Sequence, residues 1–346
     1  MFAADRRQRA ARDHSEVQQH GRLQTGRSSV LPNGGAEQHA ELLKFVKKLG
    51  SGSFGDVYLI VERLSGLQRC CKVIDKSNAT LPVEQIRSEV RLLRTLDHPH
   101  IIKIIDVYED YQNLYIIQDM CTGGELSRRV KSAAEKQKIL TESYVKEIMQ
   151  QALRAICYIH DRNIAHKDLK PDNILFADKD LHSSIKIIDF GLSERFNPSC
   201  PVSQNAAGTI LFMAPELFHK QVTVKCDIWS LGCLMYYLLT NRHPFTGRTH
   251  AEIKNCIMRK EPSFSYYRHL SVRAVNLMTM MLTKNPARRP SARDLLGHSW
   301  FELSDSPLLF RLLAGEAVQR NQAREVVQPH AAERVAVPAK LCQPAL

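Results

Sequence analysis

The sequence predicts an α+β protein of two lobes, a small β-rich lobe with one main helix and a larger, mostly helical one. Three observations carry that expectation. Short β-type runs crowd the region between Leu42 and Gln118. After Gly123 and Gly124 the apolar residues take helical spacing instead. Finally, 346 residues with 44% hydrophobic content suffice for one large core or two smaller ones joined by a cleft.

Residues 1–40 are rich in Arg, Gln, Ser, Gly and His with scarcely any apolar periodicity, so burial cannot offset ordering entropy and a disordered basic arm is expected. The small lobe, 41–120, then shows β-type runs at Phe45 to Leu49, Val57 to Val61, Cys70 to Ile74, Ile101 to Val107 and Leu114 to Gln118. Between them, residues 83–96 place Val83, Ile86, Val90, Leu93 and Leu96 on one helical face, with charged residues between. The large lobe, 121–303, is broken by a loop-rich stretch from His166 to Pro215 with two short β-like pieces. Ile228 to Leu239 is uncharged and apolar but too short to span a bilayer, which takes roughly 20 residues, so it reads as a buried helix. In the extension 304–346, Leu308, Leu309, Phe310, Leu312 and Leu313 cluster ahead of a polar tail expected to be disordered. With Arg311, Arg320 and Arg324 alongside, that cluster would end or cap the core, or serve as a basic amphipathic helix for calmodulin or another regulatory partner.

Composition removes several classes. The arginines near Met1 are followed by no apolar segment and Gly does not follow Met1, so neither a secretory signal nor N-myristoylation is expected. Nine cysteines without CxxC or Cys/His spacing read as free thiols in a reducing compartment, the cytoplasm or the nucleus. The net charge is +12, of which the N-terminal arm holds +2 and the C-terminal extension +1, leaving +9 on the body. Such a body suits anionic ligands, nucleotide phosphates included, and does not by itself imply nucleic acid.

Gly50-Ser51-Gly52-Ser53-Phe54-Gly55 lies between two β-type runs, where missing side chains let backbone N–H groups approach phosphate oxygens. A dinucleotide fingerprint would open a helix at the third glycine, yet Asp56 to Val61 reads as strand. A hairpin lid over phosphates and a hairpin with no ligand both fit. Lys72 stands inside an apolar strand and needs a counter-charge, which Glu89 on the predicted helix could supply, unless both are solvated. Further on come His166-Lys167-Asp168-Leu169-Lys170-Pro171-Asp172-Asn173 and Asp189-Phe190-Gly191, whose carboxylates and amide are hard-oxygen ligands and proton acceptors suited to Mg²⁺ and a hydroxyl nucleophile. Ala214-Pro215-Glu216 and Asp227-Ile228-Trp229-Ser230-Leu231-Gly232 follow.

With these motifs in order, residues 41–303 resemble a eukaryotic protein kinase. Cys121-Thr122-Gly123-Gly124-Glu125-Leu126, Asp189-Phe190-Gly191-Leu192-Ser193 and Arg289-Pro290-Ser291-Ala292 resemble the calcium/calmodulin-regulated group, most of all calcium-dependent protein kinases, although no EF-hand loop pattern occurs. The resemblance implies a bilobal kinase fold, ATP and Mg²⁺ as cofactors, and protein substrates phosphorylated on Ser or Thr, the latter from Lys170 two residues after Asp168. Gly50, Ser51, Gly52, Ser53, Phe54 and Gly55 would cover the phosphates, Lys72 would hold them, and Glu89 would pair with Lys72. Asp168 would accept the substrate proton, Lys170 would neutralise the γ-phosphate, and Asn173 with Asp189 would bind the metal. Adenine would lie between Val57 and Cys70 above and Leu175 below, against the connector of Gln118, Asp119 and Cys121. Leu93, Ile104, Phe190 and His166 would form an apolar column, Glu216 would pair with Arg289, and Thr209 would contact Asp168. Glu125 and Asp172 would receive an arginine three residues upstream of the phosphorylated hydroxyl, unless Glu125 only bonds the ribose and Asp172 is solvated.

The sequence departs from that pattern in places. Lys167 replaces an arginine and cannot grip a phosphate bidentately, which argues against dependence on phosphorylation of the following loop. Cys70, Gln118, Asp119 and Ile210 to Met213 alter pocket and groove without removing a reacting group. The rivals are a catalytically silent pseudokinase scaffold and a basic nucleic-acid-binding protein.

Overall fold

A computed structural model describes residues 43–52, 55–77, 82–197, 199, 202–203 and 207–302, all within one compact unit. The expected N-terminal arm and C-terminal extension, with Ser53 and Phe54 of the glycine loop, lie outside the described residues.

The small lobe is a five-stranded antiparallel sheet in the order β1-β2-β3-β5-β4. Its strands are β1 (Leu43–Gly52), β2 (Gly55–Glu62), β3 (Gln68–Asp75), β4 (Ile104–Glu109) and β5 (Asn113–Asp119). One helix, α1 (Val83–Arg94), accompanies the sheet and buries Ile86, Val90 and Leu93, the face its periodicity selected. The fourth strand starts three residues later than the apolar run suggested. Ile101 bridges instead to Ile187 of the large lobe, and the Ile102 amide donates to the Ile187 carbonyl at 3.0 Å. These isoleucines are apolar because they pack between the lobes, not because they belong to the sheet.

The large lobe follows with α2 (Leu126–Glu135), α3 (Glu142–His160), α4 (Cys226–Thr240), α5 (His250–Arg259), α6 (Val272–Met281) and α7 (Ala292–Leu296). Between α3 and α4 run β6 (Ile164–Ala165), β7 (Ile174–Phe176), β8 (Ile185–Ile187) and β9 (Glu194–Arg195), paired β6 with β9 and β7 with β8. Every residue of α4 except Tyr237 is buried, which makes it the axis of the lobe. The Arg289 guanidinium grips Glu216 at 2.6 and 3.0 Å and donates to the carbonyls of Thr283 and Lys225, so the expected buried bridge has its hydrogen bonds filled. Among the described residues no helix is long and apolar enough to cross a membrane.

Candidate active site

The lower wall of the cleft is the segment between β6 and β7. Asp227 at the start of α4, wholly buried, accepts from the backbone amides of His166 and Lys167, each at 2.8 Å, and meets the His160 ring at 2.9 Å. Burial pushes its carboxyl up, but the His160 hydrogen bond and the nearby imidazoles outweigh that and hold it below its ordinary range. Lys167 takes a left-handed φ of 69° there, so the chain turns sharply just before Asp168.

Asp168 is thereby presented at the cleft floor with four donors on its carboxylate. Lys170 Nζ reaches Oδ2 at 2.6 Å, Asn173 Nδ2 reaches Oδ2 at 3.1 Å, and the hydroxyl and amide of Thr209 reach Oδ1 at 2.8 and 3.1 Å. Burial would raise this carboxyl; the Lys170 and Thr209 hydrogen bonds overrule it and keep it below the usual range, ionised at neutral pH. Thr209 can come so close because Gly208 precedes it at φ 133°, where a Cβ would stand 2.6 Å from the Lys167 carbonyl oxygen.

Asn173 and the residue before Asp189 are joined through the backbone, the Ile188 amide donating to the Asn173 carbonyl at 3.0 Å. Both hydrogen bonds that Asn173 Nδ2 donates go to Asp168, one to the backbone carbonyl at 2.8 Å, which leaves the amide oxygen for a cation. Asp189 sits at a left-handed φ of 61°, and its Oδ1 accepts from the Gly191 amide at 3.3 Å. No group of three His, Cys, Asp or Glu able to hold a metal alone occurs among the described residues. One carboxylate and one amide oxygen instead fit Mg²⁺, which takes its other ligands from water and substrate phosphates.

The upper wall is the β1–β2 hairpin with β3 and α1. Gly50, Ser51 and Gly52 pair with Val57, Asp56 and Gly55, so the glycine run is a hairpin lid as the strand reading required. At Gly55, φ is 136° and a Cβ would lie 2.1 Å from the Val73 carbonyl oxygen, so this glycine is needed for close backbone approach. Lys72 lies on β3 opposite Val57 and Ile116. Burial pushes the Glu89 carboxyl on α1 up to about 7; the Lys72 charge draws it down, and the Asp189 charge opposes that. Glu89 thus feels both the Lys72 and the Asp189 charge. Beside it a cavity of about 480 Å³ is lined by Glu89, Arg91, Leu92, Phe190, Ser193 and Arg195.

Of the residues expected around adenine, Cys70 on β3 is paired with Gln118 on β5. Gln118 donates to the Cys70 sulfur at 3.6 Å, so two departures from the family pattern are a single contact, and burial pushes the Cys70 thiol up. The same cause takes Cys121 up to about 11, which leaves both sulfurs as packing atoms. Asp119 pairs with Arg69 at 3.1 Å. Leu175 bridges to Glu125, whose carboxylate accepts from Ser127 at 3.1 Å and lies 3.5 Å from Arg128. Of the expected column, the Phe190 and His166 rings meet with centroids 4.6 Å apart, and Leu93, Ile104 and Phe190 are members of the large core.

Comparison with known proteins agrees with this geometry. The protein kinase domain model matches residues 43–301. The chain belongs to the protein kinase family. It is 46% identical over 261 residues to calcium-dependent protein kinase 6 of Plasmodium berghei (strain Anka), covering 75% of this chain and 17% of that protein. Calcium-dependent protein kinase 3 of the same organism is 36% identical over 256 residues, 73% of this chain and 45% of its own length. CDPK-related kinase 5 of Arabidopsis thaliana is 34% identical over 282 residues, 77% and 46%. The chain therefore spans less than half the length of each of these relatives.

Within this kinase domain hydrogen bonds bring together Asp168, Lys170 and Asn173, and Glu89 feels the charges of Lys72 and Asp189. Three supports were not legible. Lys167 is only 4% exposed on its side chain and pairs with Glu194 on β9 at 2.9 Å, so its counter-charge is an acid 27 residues on. The anchoring roles of Asp227 and His160 were likewise missed. A buried lysine beside a catalytic aspartate signals that an acid is needed, but not which one.

Proposed function

We propose that this kinase transfers the γ-phosphate of ATP to Ser or Thr hydroxyls of protein substrates and prefers an arginine upstream of the acceptor. The observation that carries the reading is the Asp168 carboxylate, held ionised by hydrogen bonds from Lys170, Asn173 and Thr209. ATP with Mg²⁺ supplies the phosphoryl group and neutralises part of its charge. Asp168 would accept the hydrogen bond of the incoming hydroxyl and take its proton as the new oxygen–phosphorus bond forms and the bond from the γ-phosphorus to the bridging oxygen breaks, releasing ADP. Lys170 lies between Asp168 Oδ2 and Thr209 Oγ1, 2.6 and 3.1 Å away, where its charge offsets that gathering on the transferred group. Thr209 fixes the carboxylate against rotation and joins it to the segment that precedes Ala214-Pro215-Glu216.

Glu125 and Asp172 support the arginine preference, as carboxylates near the cleft of a chain of net charge +12. Free thiols at Cys70, Cys71, Cys121, Cys157, Cys226, Cys233 and Cys256 support a reducing location, cytoplasmic or nuclear. A calmodulin-like partner would act through 304–346, outside the described residues, and truncation after Ser304 tests that. Phosphate transfer from labelled ATP to serine, threonine and tyrosine peptides tests the main reading. Transfer to serine or threonine, lost in Asp168→Asn, is expected. ATP binding without transfer to any peptide would establish a silent scaffold instead.

A further inference from the structure

Glu109, at the end of β4, receives cations from two different elements. Arg87 on α1 donates through Nε to Oε2 at 3.3 Å and through Nη2 to Oε1 at 2.5 Å, a forked grip on both oxygens. Lys76, one residue past β3, reaches Oε1 at 3.1 Å and donates also to the Asp110 carbonyl. The Glu109 side chain is only 11% exposed. Burial pushes its carboxyl up, but the Arg87 and Lys76 hydrogen bonds outweigh that and hold it below its ordinary range.

Each cation belongs to an element that carries one member of the Lys72 and Glu89 pair. Lys76 follows Lys72 by four residues at the end of β3, and Arg87 precedes Glu89 by two on α1. Glu109 itself stands on a fixed base. β5 pairs with both strand ends, Asn113 with Asp75 and Leu114 with Glu109, and the Lys76 amide donates to the Gln112 carbonyl at 2.8 Å. In the turn between β4 and β5, buried Asp110 accepts from the amides of Gln112 and Asn113 at 2.8 and 2.6 Å and from the Tyr115 hydroxyl at 3.0 Å.

The helix needs such a tie. Its apolar residues Ile86, Val90 and Leu93 share a core with Val107 and Leu114, and apolar contact is non-directional, so it opposes lifting more than sliding. Along Glu89 and Leu92 the helix borders the cavity of about 480 Å³. A forked ion pair has both a direction and a length, and so can set the axial position of a helix that its apolar face leaves open.

We propose that Glu109 is a positioning residue for phosphoryl transfer: by binding Arg87 and Lys76 together it sets α1 against β3 and brings Glu89 into register with Lys72. Glu109 touches no reacting atom and acts through Glu89. The inference rests on the transfer reading above and goes further by naming what places the charge of the upper wall.

The test is a double-mutant cycle on the full chain, read as kcat on a serine peptide at saturating ATP and Mg²⁺. Glu109→Gln should lower kcat about 3- to 30-fold in the wild-type background but less than about 2-fold in a Glu89→Gln background, where no carboxylate is left to place. The KM of the peptide should hardly move. Arg87→Ala should behave as Glu109→Gln does, and Arg87→Lys should recover part of the loss, because an ammonium keeps the charge without the fork. A merely structural role would lower kcat by the same factor in both backgrounds; that result, or no loss in the wild-type background, would overturn the proposal. The same cycle on the affinity for a non-hydrolysable ATP analogue with Mg²⁺, by titration calorimetry, reads the placement of Lys72 without any transfer, and the same coupling is expected. A wild type that binds the analogue but transfers no phosphate would remove the function proposed above, while coupling or its absence in the binding cycle would still decide what positions α1.

Discussion

Asp168 in the lower wall of the cleft accepts four hydrogen bonds from three residues, while Glu89 in the upper wall sits half-buried beside a cavity of about 480 Å³. The environments move the two carboxyls in opposite directions. Hydrogen bonds from Lys170 and Thr209 hold Asp168 down, and desolvation takes Glu89 up to about 7. The lower wall is pre-built: Asp227 at the start of α4 fixes the backbone on which Asp168 stands. The upper wall depends on where α1 sits and on whether Glu89 is ionised. On the proposed reading, the half pinned by hydrogen bonds would carry the phosphoryl transfer and the half with the raised carboxyl would admit nucleotide.

The largest expected effect breaks the comparison from below. Asp168→Asn should lower kcat by roughly 10² to 10³ and leave ATP affinity and the melting temperature close to wild type, since one positioned charge contributes about 3 to 4 kcal/mol to the transition state. Lys72→Met should lose a similar factor but also weaken ATP binding, because its role is in the upper wall. Isothermal titration with an ATP analogue separates the two. Equal losses of affinity in both variants would erase the distinction between the walls.

Next in size is a loss of stability confined to the large lobe. Arg289→Ala removes one partner of a buried bridge and should cost about 3 to 5 kcal/mol in denaturant unfolding. An unfolding midpoint equal to wild type would show that the bridge does not hold the lobe together.

The third prediction concerns pH. Glu89 has a folded value of about 7 against an unfolded one of 4.5. As an acid whose value is raised on folding, it contributes stability that is present below pH 4.5 and is lost as pH rises through about 7. Activity runs the other way, because only the ionised carboxylate can pair with Lys72. With saturating Mg²⁺, kcat/KM should rise from pH 6 to pH 8 with an apparent pKa near 7. Glu89→Gln should be slow and flat over that range. A wild-type profile already flat there would place the titrating charge elsewhere.

The smallest effect sharpens the contrast within the lower wall. Glu194→Gln takes the carboxylate from the Lys167 ammonium and should lower activity less than Asp168→Asn does, with partial recovery in the charge exchange of Lys167→Glu with Glu194→Lys. If the exchange is no better than either single change, the pair does not act as a unit.

By itself the sequence determined whatever depends on residues near one another along the chain. Period-two runs marked the strands, and the face of Ile86, Val90 and Leu93 marked α1. The β-type run after Gly55 excluded a dinucleotide turn, and the motif from His166 to Asn173 carried the resemblance that implies the roles of Asp168 and Asn173. Tertiary structure alone decided what depends on distant residues and on water. Lys167 found Glu194, Gln118 found Cys70, and Asp119 found Arg69 because folding brought those strands together. Ile101 was read as strand because its partner Ile187 could not be seen along the chain. Glu89 reaches a value near 7 because neighbours far away in sequence remove its water. Propensity and spacing are local and so are written in the chain, whereas desolvation and charge pairing are sums over whatever the fold packs nearby.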